Sequence, residues 1–322
     1  MSGNNLAWHY TSLGSLIHIL RDRALMATEV GFQNDPYETR AAHEALRSAL
    51  DGMRTQDGRT GFGFRATFMY EEFRLGSPYA LNDERLLASS RFILCASRDS
   101  DNFHAWRTYG SAGSVGCAIG LDRSVPLGVV DGAEDTEVTP WRDVQYSESD
   151  LAAAIRDDLD DLAARWREIR GEDELRDDRD VLHTGLRSIW NDVRAQAKHA
   201  SYRHEDETRI TVAAPPKAAV RFRDGRLGPR PYILLGTSDA WASPPPQQRT
   251  KLPIREVVLG PEAPAAAVES LTWLLGLHDY IIDGETEFAT IRDEHGRAEV
   301  ADWVSDKNKV RIRHSHHLFR SV

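Results

Sequence analysis

Residues Tyr202–Ala213, YRHEDETRITVA, place three consecutive acids, Glu205-Asp206-Glu207, directly before a strand pattern. Thr208–Ala213 is dominated by β-branched residues, and Pro215-Pro216 closes it. Carboxylates this close repel one another, so partial burial raises the pKa of one of them. Such a cluster is costly unless a cation visits it. The competing reading is a solvated acidic turn. A helix precedes the acids: Leu182, Leu186, Ile189, Val193 and Ala197 recur every three or four positions and make one apolar face. The acids therefore sit where a helix hands over to a strand.

The second candidate is His9. It ends a short strand-like run, Leu6–Tyr10, and Thr11 or Ser12 then caps a helix whose apolar face is Leu13, Leu16, Ile17 and Leu20. A helix N-terminus offers free N–H groups to a phosphate or a polar heterocycle. The plainer role for His9 is to satisfy a backbone carbonyl. In Asn34-Asp35-Pro36-Tyr37-Glu38, Asp35, Pro36 and Glu38 form a capping box, which leaves Asn34 without an assigned task. Ser97 ends a buried strand, Arg91–Ser97. Trp106 and Tyr109 lie at helical spacing within Asn102–Gly110, where aromatic residues serve a core more often than a stacking site.

Further elements must position these residues. Gly116–Asp122, Tyr232–Gly236, Ile254–Gly260 and Val310–Arg313 read as strands, and Ala263–Leu277 as a helix. Residues 51–77, with GFGF at Gly61–Phe64, read as a loop or hairpin. Asp150–Arg170 reads as an amphipathic helix packed at the periphery, and Ala240–Pro253, with its triple proline, as an exposed stretch.

The chain has 322 residues, 41% of them hydrophobic and 28% charged, an ordinary globular composition with material for a sizeable core. Its net charge of -10 argues against coating duplex DNA or an anionic membrane. Two cysteines, Cys95 and Cys117, lie in apolar runs and read as buried thiols. No apolar run approaches membrane-spanning length and no signal-peptide layout opens the chain, so the expectation is a cytoplasmic protein that does not engage a membrane. The histidines of RHSHHLFR lack partner carboxylate spacing, and no metal is expected.

Together the motifs resemble a widespread bacterial family of unknown function. HYTS before a helix, NDP with a following acid, FILCASRD, AWRTYG and GCAIGLD occur in its order. So does a later block of Lys198, Tyr202, Glu205, Glu207 and Arg209. That family in turn resembles the ADP-ribosyltransferase superfamily. The resemblance implies an α+β fold, a split pair of mainly antiparallel sheets flanked by helices. It also implies a single domain over residues 1–322 with a helical insertion at about 148–199. The activity implied is cleavage of NAD, as co-substrate, with transfer of ADP-ribose to a macromolecular acceptor, protein or nucleic acid. The biological setting implied is a toxin or anti-phage effector with an antitoxin or regulatory partner.

The superfamily's pattern also implies roles. Glu207 holds the ribose 2′-hydroxyl and faces the oxocarbenium-like centre left by nicotinamide, and Glu205 orients or deprotonates the acceptor. His9 bonds a ribose hydroxyl, Tyr10 or Tyr109 stacks on nicotinamide, and Thr11 adds a hydroxyl or N–H. Asn34, Ser97 and Trp106 complete the expected cofactor contacts, with the middle motif residue left open among Ser97, Trp106 and Tyr109. Two alternatives stand beside this: a non-enzymatic NAD or ADP-ribose-binding module, and a metal-dependent hydrolase or nuclease using Glu205, Asp206, Glu207 and the C-terminal histidines.

Overall fold

A computed structural model describes residues 5–317, apart from 33–35, 58–60, 75–86, 110–114, 134–135, 147, 173–178, 199, 226–227, 238–244, 284–289, 293–297 and 301–308. Its strands are β1 (Leu6–Ser12), β2 (Leu25–Glu29), β3 (Arg91–Ser97), β4 (Gly116–Asp122), β5 (Leu127–Val129), β6 (Arg142–Asp143) and β7 (Glu207–Ala213). They continue with β8 (Arg221–Arg223), β9 (Arg230–Thr237), β10 (Ile254–Leu259), β11 (Ile281–Ile282), β12 (Thr290–Arg292), β13 (Ala298–Val300) and β14 (Lys309–His314). The helices are α1 (Leu13–Asp22), α2 (Pro36–Asp57), α3 (Phe62–Arg74), α4 (Phe103–Tyr109), α5 (Glu148–Glu172), α6 (Arg179–Gln196) and α7 (Ala266–Leu277). The fold is α+β: an open, mixed but mostly antiparallel sheet flanked by helices. Among the described strands β14 alone pairs in parallel, with β10 and β11, while β12 and β13 pair with each other apart from the main sheet.

The sheet forks at β3. One edge of β3 pairs along its whole length with β7, from Arg91 opposite Ala213 to Ser97 opposite Glu207. The other edge is divided. Ser97 faces Trp8 of β1, whereas Phe92 and Ile93 face Glu29 and Thr28 of β2. Between these contacts no described strand pairs with Leu94–Ala96 on that edge. From the fork β1 leads through β4 to β10 and β14, and β2 leads through β9 to β5. Backbone groups left without a ladder there need other partners, and the side chain of His9 supplies one, as described below.

Helix α1 starts where expected. The Ser12 hydroxyl accepts from the Ser15 N–H at 3.1 Å, and Arg23 ends the helix in a left-handed conformation, φ 47°. Its buried face, Leu16, Ile19 and Leu20, packs with α7 against one side of the sheet. A second apolar core lies among α2, α3, α5 and α6, built from residues such as Leu46, Phe62, Leu159 and Leu186. Helix α5, expected to pack at the periphery, thus shares a core of its own with α2, α3 and α6. The expected loop at Gly61–Phe64 is also overturned, since it opens α3. Phe62 is buried, and Gly63 lets α3 approach α2 so closely that an added Cβ would stand 2.5 Å from the Arg54 backbone nitrogen. The stretch before Pro253 is not wholly exposed either. Arg249 is buried with Nη1 donating to the Asp22 carbonyl at 2.9 Å, and Leu252 joins the sheet core.

Candidate functional site

Lys198, two residues beyond α6, is the centre of a buried charge cluster. Its ammonium donates to Glu205 Oε2 at 2.5 Å and to Glu207 Oε2 at 2.9 Å, and it stands over the Tyr202 ring. Arg209 grips the other side of Glu207, with Nε 2.7 Å from Oε1 and Nη2 3.2 Å from Oε2. Strand alternation puts Glu207 and Arg209 on one face of β7. Arg209 Nη1 also donates to the Arg194 and Ala195 carbonyls at 3.1 Å each, capping the end of α6. Glu207, Arg209 and Lys198 are all buried, so the helix end and the strand start are fastened by charge out of water.

The cluster overturns the expectation that repulsion raises a carboxyl pKa here. Burial does push Glu207 up. Attraction to Arg209 and Lys198, with hydrogen bonds from Arg209 and the Cys95 thiol, outweighs it and brings the carboxyl down to about 2. Nor do the three acids act together. Asp206 has φ 46° and turns outward, its carboxylate 2.9 Å from Arg98 Nε. That left-handed residue lets Glu205, in a 3-10 turn (Ala200–Glu205), reach the same ammonium as Glu207. A carboxylate offers about four acceptor positions. Three of those of Glu207 are taken by Lys198 and two Arg209 N–H groups, whereas Glu205 Oε1 has no hydrogen-bond partner among the described residues.

Across the fork, His9 Nδ1 lies 3.0 Å from the Cys95 carbonyl oxygen. A carbonyl only accepts, so Nδ1 carries the proton and Nε2 keeps its lone pair. Burial lowers the imidazole pKa and keeps the ring neutral. Cys95 therefore touches both candidates, His9 through its backbone and Glu207 through its thiol. His9, Thr11, Ser97, Tyr109, Glu205 and Glu207 all line one cavity of about 630 Å³, which also borders Tyr10, Lys198 and Arg209. That volume is within the range of small-molecule sites.

Not every expected contact is brought there. Trp106 is buried outside the cavity, edge-on to Tyr10 at 4.7 Å between ring centroids, with Nε1 donating to Asp101. It is a core residue, the commoner fate of an aromatic at helical spacing. The Tyr10 hydroxyl donates to the Asp99 carbonyl and accepts from the Asn102 N–H, and burial raises its pKa. Ser97 Oγ is likewise committed, donating to the Glu205 carbonyl at 2.8 Å and accepting from the Asp99 N–H. Tyr109 opens onto the cavity and is 45% exposed. Asn34 lies outside the described residues.

Lys198 and Arg209, which the motif block includes without a role, hold the site together. The spacing Glu205-x-Glu207-x-Arg209 was the sequence signal for the second, because alternate strand residues share a face. Among the described residues, no group of three His, Cys, Asp or Glu could hold a metal ion. No helix among them is long and apolar enough to cross a membrane. Comparison with protein-family models, with curated proteins and with solved structures found no match to this chain.

Proposed function

We propose that this chain is an NAD-dependent ADP-ribosyltransferase, with an ADP-ribosyltransferase-like fold, that passes ADP-ribose to a macromolecular acceptor. The observation that carries the reading is one shared cavity. His9 from the start of the chain and the Glu205–Glu207 pair from its later part face the same space across a forked sheet. In the reaction the bond between nicotinamide and ribose breaks, its electron pair leaves with nicotinamide, and the ribosyl carbon becomes positive. An acceptor nucleophile then bonds to that carbon and loses a proton. Neutral His9 accepts a ribose hydroxyl at Nε2. Glu207, ionised and immobile, supplies fixed negative charge that favours the developing cation more than the ground state. Because Lys198 and Arg209 already hold both oxygens of Glu207, the hydroxyl or nucleophile contact falls to the open oxygen of Glu205. Arg223 and Arg230 border the cavity and supply positive charge for the pyrophosphate.

A second reading rests on the same grip. A carboxylate gripped on both oxygens by three charged donors is well built to shape a pocket, which favours a binding module that holds NAD or ADP-ribose without turnover. Incubation with NAD labelled in the nicotinamide ring, with cell lysate as acceptor source, separates the two. The transferase releases nicotinamide, and Glu207→Gln lowers the rate roughly a hundredfold or more. NAD binding with no release in the wild-type protein makes the binding module correct.

A further inference from the structure

One lip of the cavity carries a run of aromatic rings that the reading above leaves unused. Tyr202, at the cavity wall, lies 6.3 Å from His204 between ring centroids. His204 stands 3.8 Å from His104 on α4, and Phe103 follows at 5.8 Å. His317, from the C-terminal segment, closes the run 5.6 Å beyond Phe103. Three stretches distant in sequence thus build one ribbon leading from open surface into the cavity. Its outer rings are exposed: His104 and His204 face solvent and Phe103 is 40% exposed. Large aromatic side chains left open to water need a reason.

The ribbon is rigidly mounted. Asn102, itself buried, donates from Nδ2 to the His204 carbonyl at 2.7 Å, while its Oδ1 accepts from the backbone N–H groups of His104 and Ala105. A single amide thereby fixes the backbones that present the histidine pair, whose ring planes are tilted 43° to one another. His317 Nε2 is anchored 2.8 Å from the Asp101 carbonyl oxygen. Exposed Arg107 lies with its guanidinium 5.8 Å from the Phe103 ring centre, and exposed Arg203 lies between Tyr202 and His204 in sequence.

We propose that this lip is a stacking platform for an unpaired nucleic-acid strand, which makes single-stranded nucleic acid the acceptor class of the cavity it borders. The acceptor assignment rests on the transferase reading; the binding surface does not. Tilted and edge-on to one another, the exposed rings leave faces open to bases, and the neighbouring arginines supply the backbone charge that unpaired strands need. Three of the five rings are imidazoles, whose polar edges suit nucleobases better than the aliphatic side chains of a peptide. Duplex is disfavoured because its bases are already stacked on one another and offer no free faces to the rings.

The test is fluorescence anisotropy without NAD, using a short labelled oligonucleotide, as DNA or as RNA, single-stranded or annealed to its complement. Single strands bind more tightly than the duplex, and binding weakens as salt rises. Phe103→Ala and His204→Ala each weaken it about tenfold. Arg203→Glu, a change at an exposed position that leaves the packing alone, weakens it as well. Phe64→Ala, exposed on α3 away from the lip, leaves it unchanged. Unchanged affinity in the lip variants, preference for duplex, or an arginine-rich peptide bound where oligonucleotides are not, overturns the proposal. Strand binding without nicotinamide release refutes the transferase reading alone, and release without strand binding refutes the platform alone.

Discussion

The two sides of the fork hold their polar groups by opposite means. On the β1 side they are neutral and fixed by main-chain hydrogen bonds: His9 on the Cys95 carbonyl, and Tyr10 between the Asp99 carbonyl and the Asn102 N–H. On the β7 side they are charged and fixed by one another, Lys198 and Arg209 against Glu205 and Glu207. A neutral wall of set dipoles thus faces a wall of balanced charge. The first suits hydroxyls and rings, the second a centre whose charge changes during reaction. The two walls also fail differently. Losing one neutral hydrogen bond costs modestly, whereas removing one partner of a buried ion pair leaves an uncompensated charge.

The sharpest way to break the contrast is Arg209→Ala. It removes both bonds on one side of Glu207 and leaves the Arg194 and Ala195 carbonyls at the end of α6 unserved. The expected loss is about 3–5 kcal/mol, read from the shift in denaturant midpoint. Arg209→Lys keeps the charge but not the two-pronged grip, and is expected to recover only part of the loss. A loss below about 1 kcal/mol for Arg209→Ala would show that the β7 side does not depend on its charges.

Acidification separates the two walls by pH window. The His9 pKa is lowered from 6.5, so the unfolded chain takes up that proton first. Its contribution is complete above pH 6.5 and declines as pH falls below it. Glu207 lies at about 2 against an ordinary 4.5, so its contribution is complete above pH 4.5 and is lost as pH falls toward 2. In full it amounts to up to about 3 kcal/mol. Unfolding midpoints measured against pH for wild type, His9→Asn and Glu207→Gln test this. The histidine variant flattens the profile just below pH 6.5, and the glutamine variant flattens it below pH 4.5. Three superimposable profiles would remove the distinction between the walls.

The legible parts of the molecule were those set by local pattern. Arg91–Ser97 and Gly116–Asp122 are strands at the boundaries expected, because uninterrupted apolar runs between turn residues leave little choice. The helix feeding the acid cluster follows its apolar periodicity; α1 does so only in part, since Leu16 and Leu20 are buried but Ile17 is exposed and Ile19 takes its place in the core. What local pattern could not carry was tertiary. Gly61–Phe64 looks like a loop because glycine is a poor helix former, yet Gly63 is needed where α3 crosses α2. The pKa of Glu207 runs opposite to expectation because the deciding cations come from residue 198 and from the far end of the same tripeptide step, Arg209. Trp106 and Tyr109 share a helix and a spacing, but one faces Tyr10 and the other the cavity, a difference that only packing decides. The fork itself depends on which strands meet β3, and no residue type announces it.

The smallest effect is expected at the junction itself. Ser97 is the β3 residue that faces both Trp8 and Glu207, and its hydroxyl binds the Glu205 carbonyl and the Asp99 N–H. The Ser97 hydroxyl spends its proton and one lone pair on the protein, so we expect it to position Glu205 rather than to bind the cofactor directly. Ser97→Ala should therefore cost about 1–2 kcal/mol of stability, since the carbonyl and the N–H each lose a partner in a partly buried setting. NAD affinity should fall only as far as Glu205 loosens, and less than in Glu205→Gln. Calorimetric titration with NAD beside a denaturant melt decides between the roles. A variant as stable as wild type that binds NAD far more weakly would make Ser97 a direct ligand contact, and the junction would then belong to neither wall.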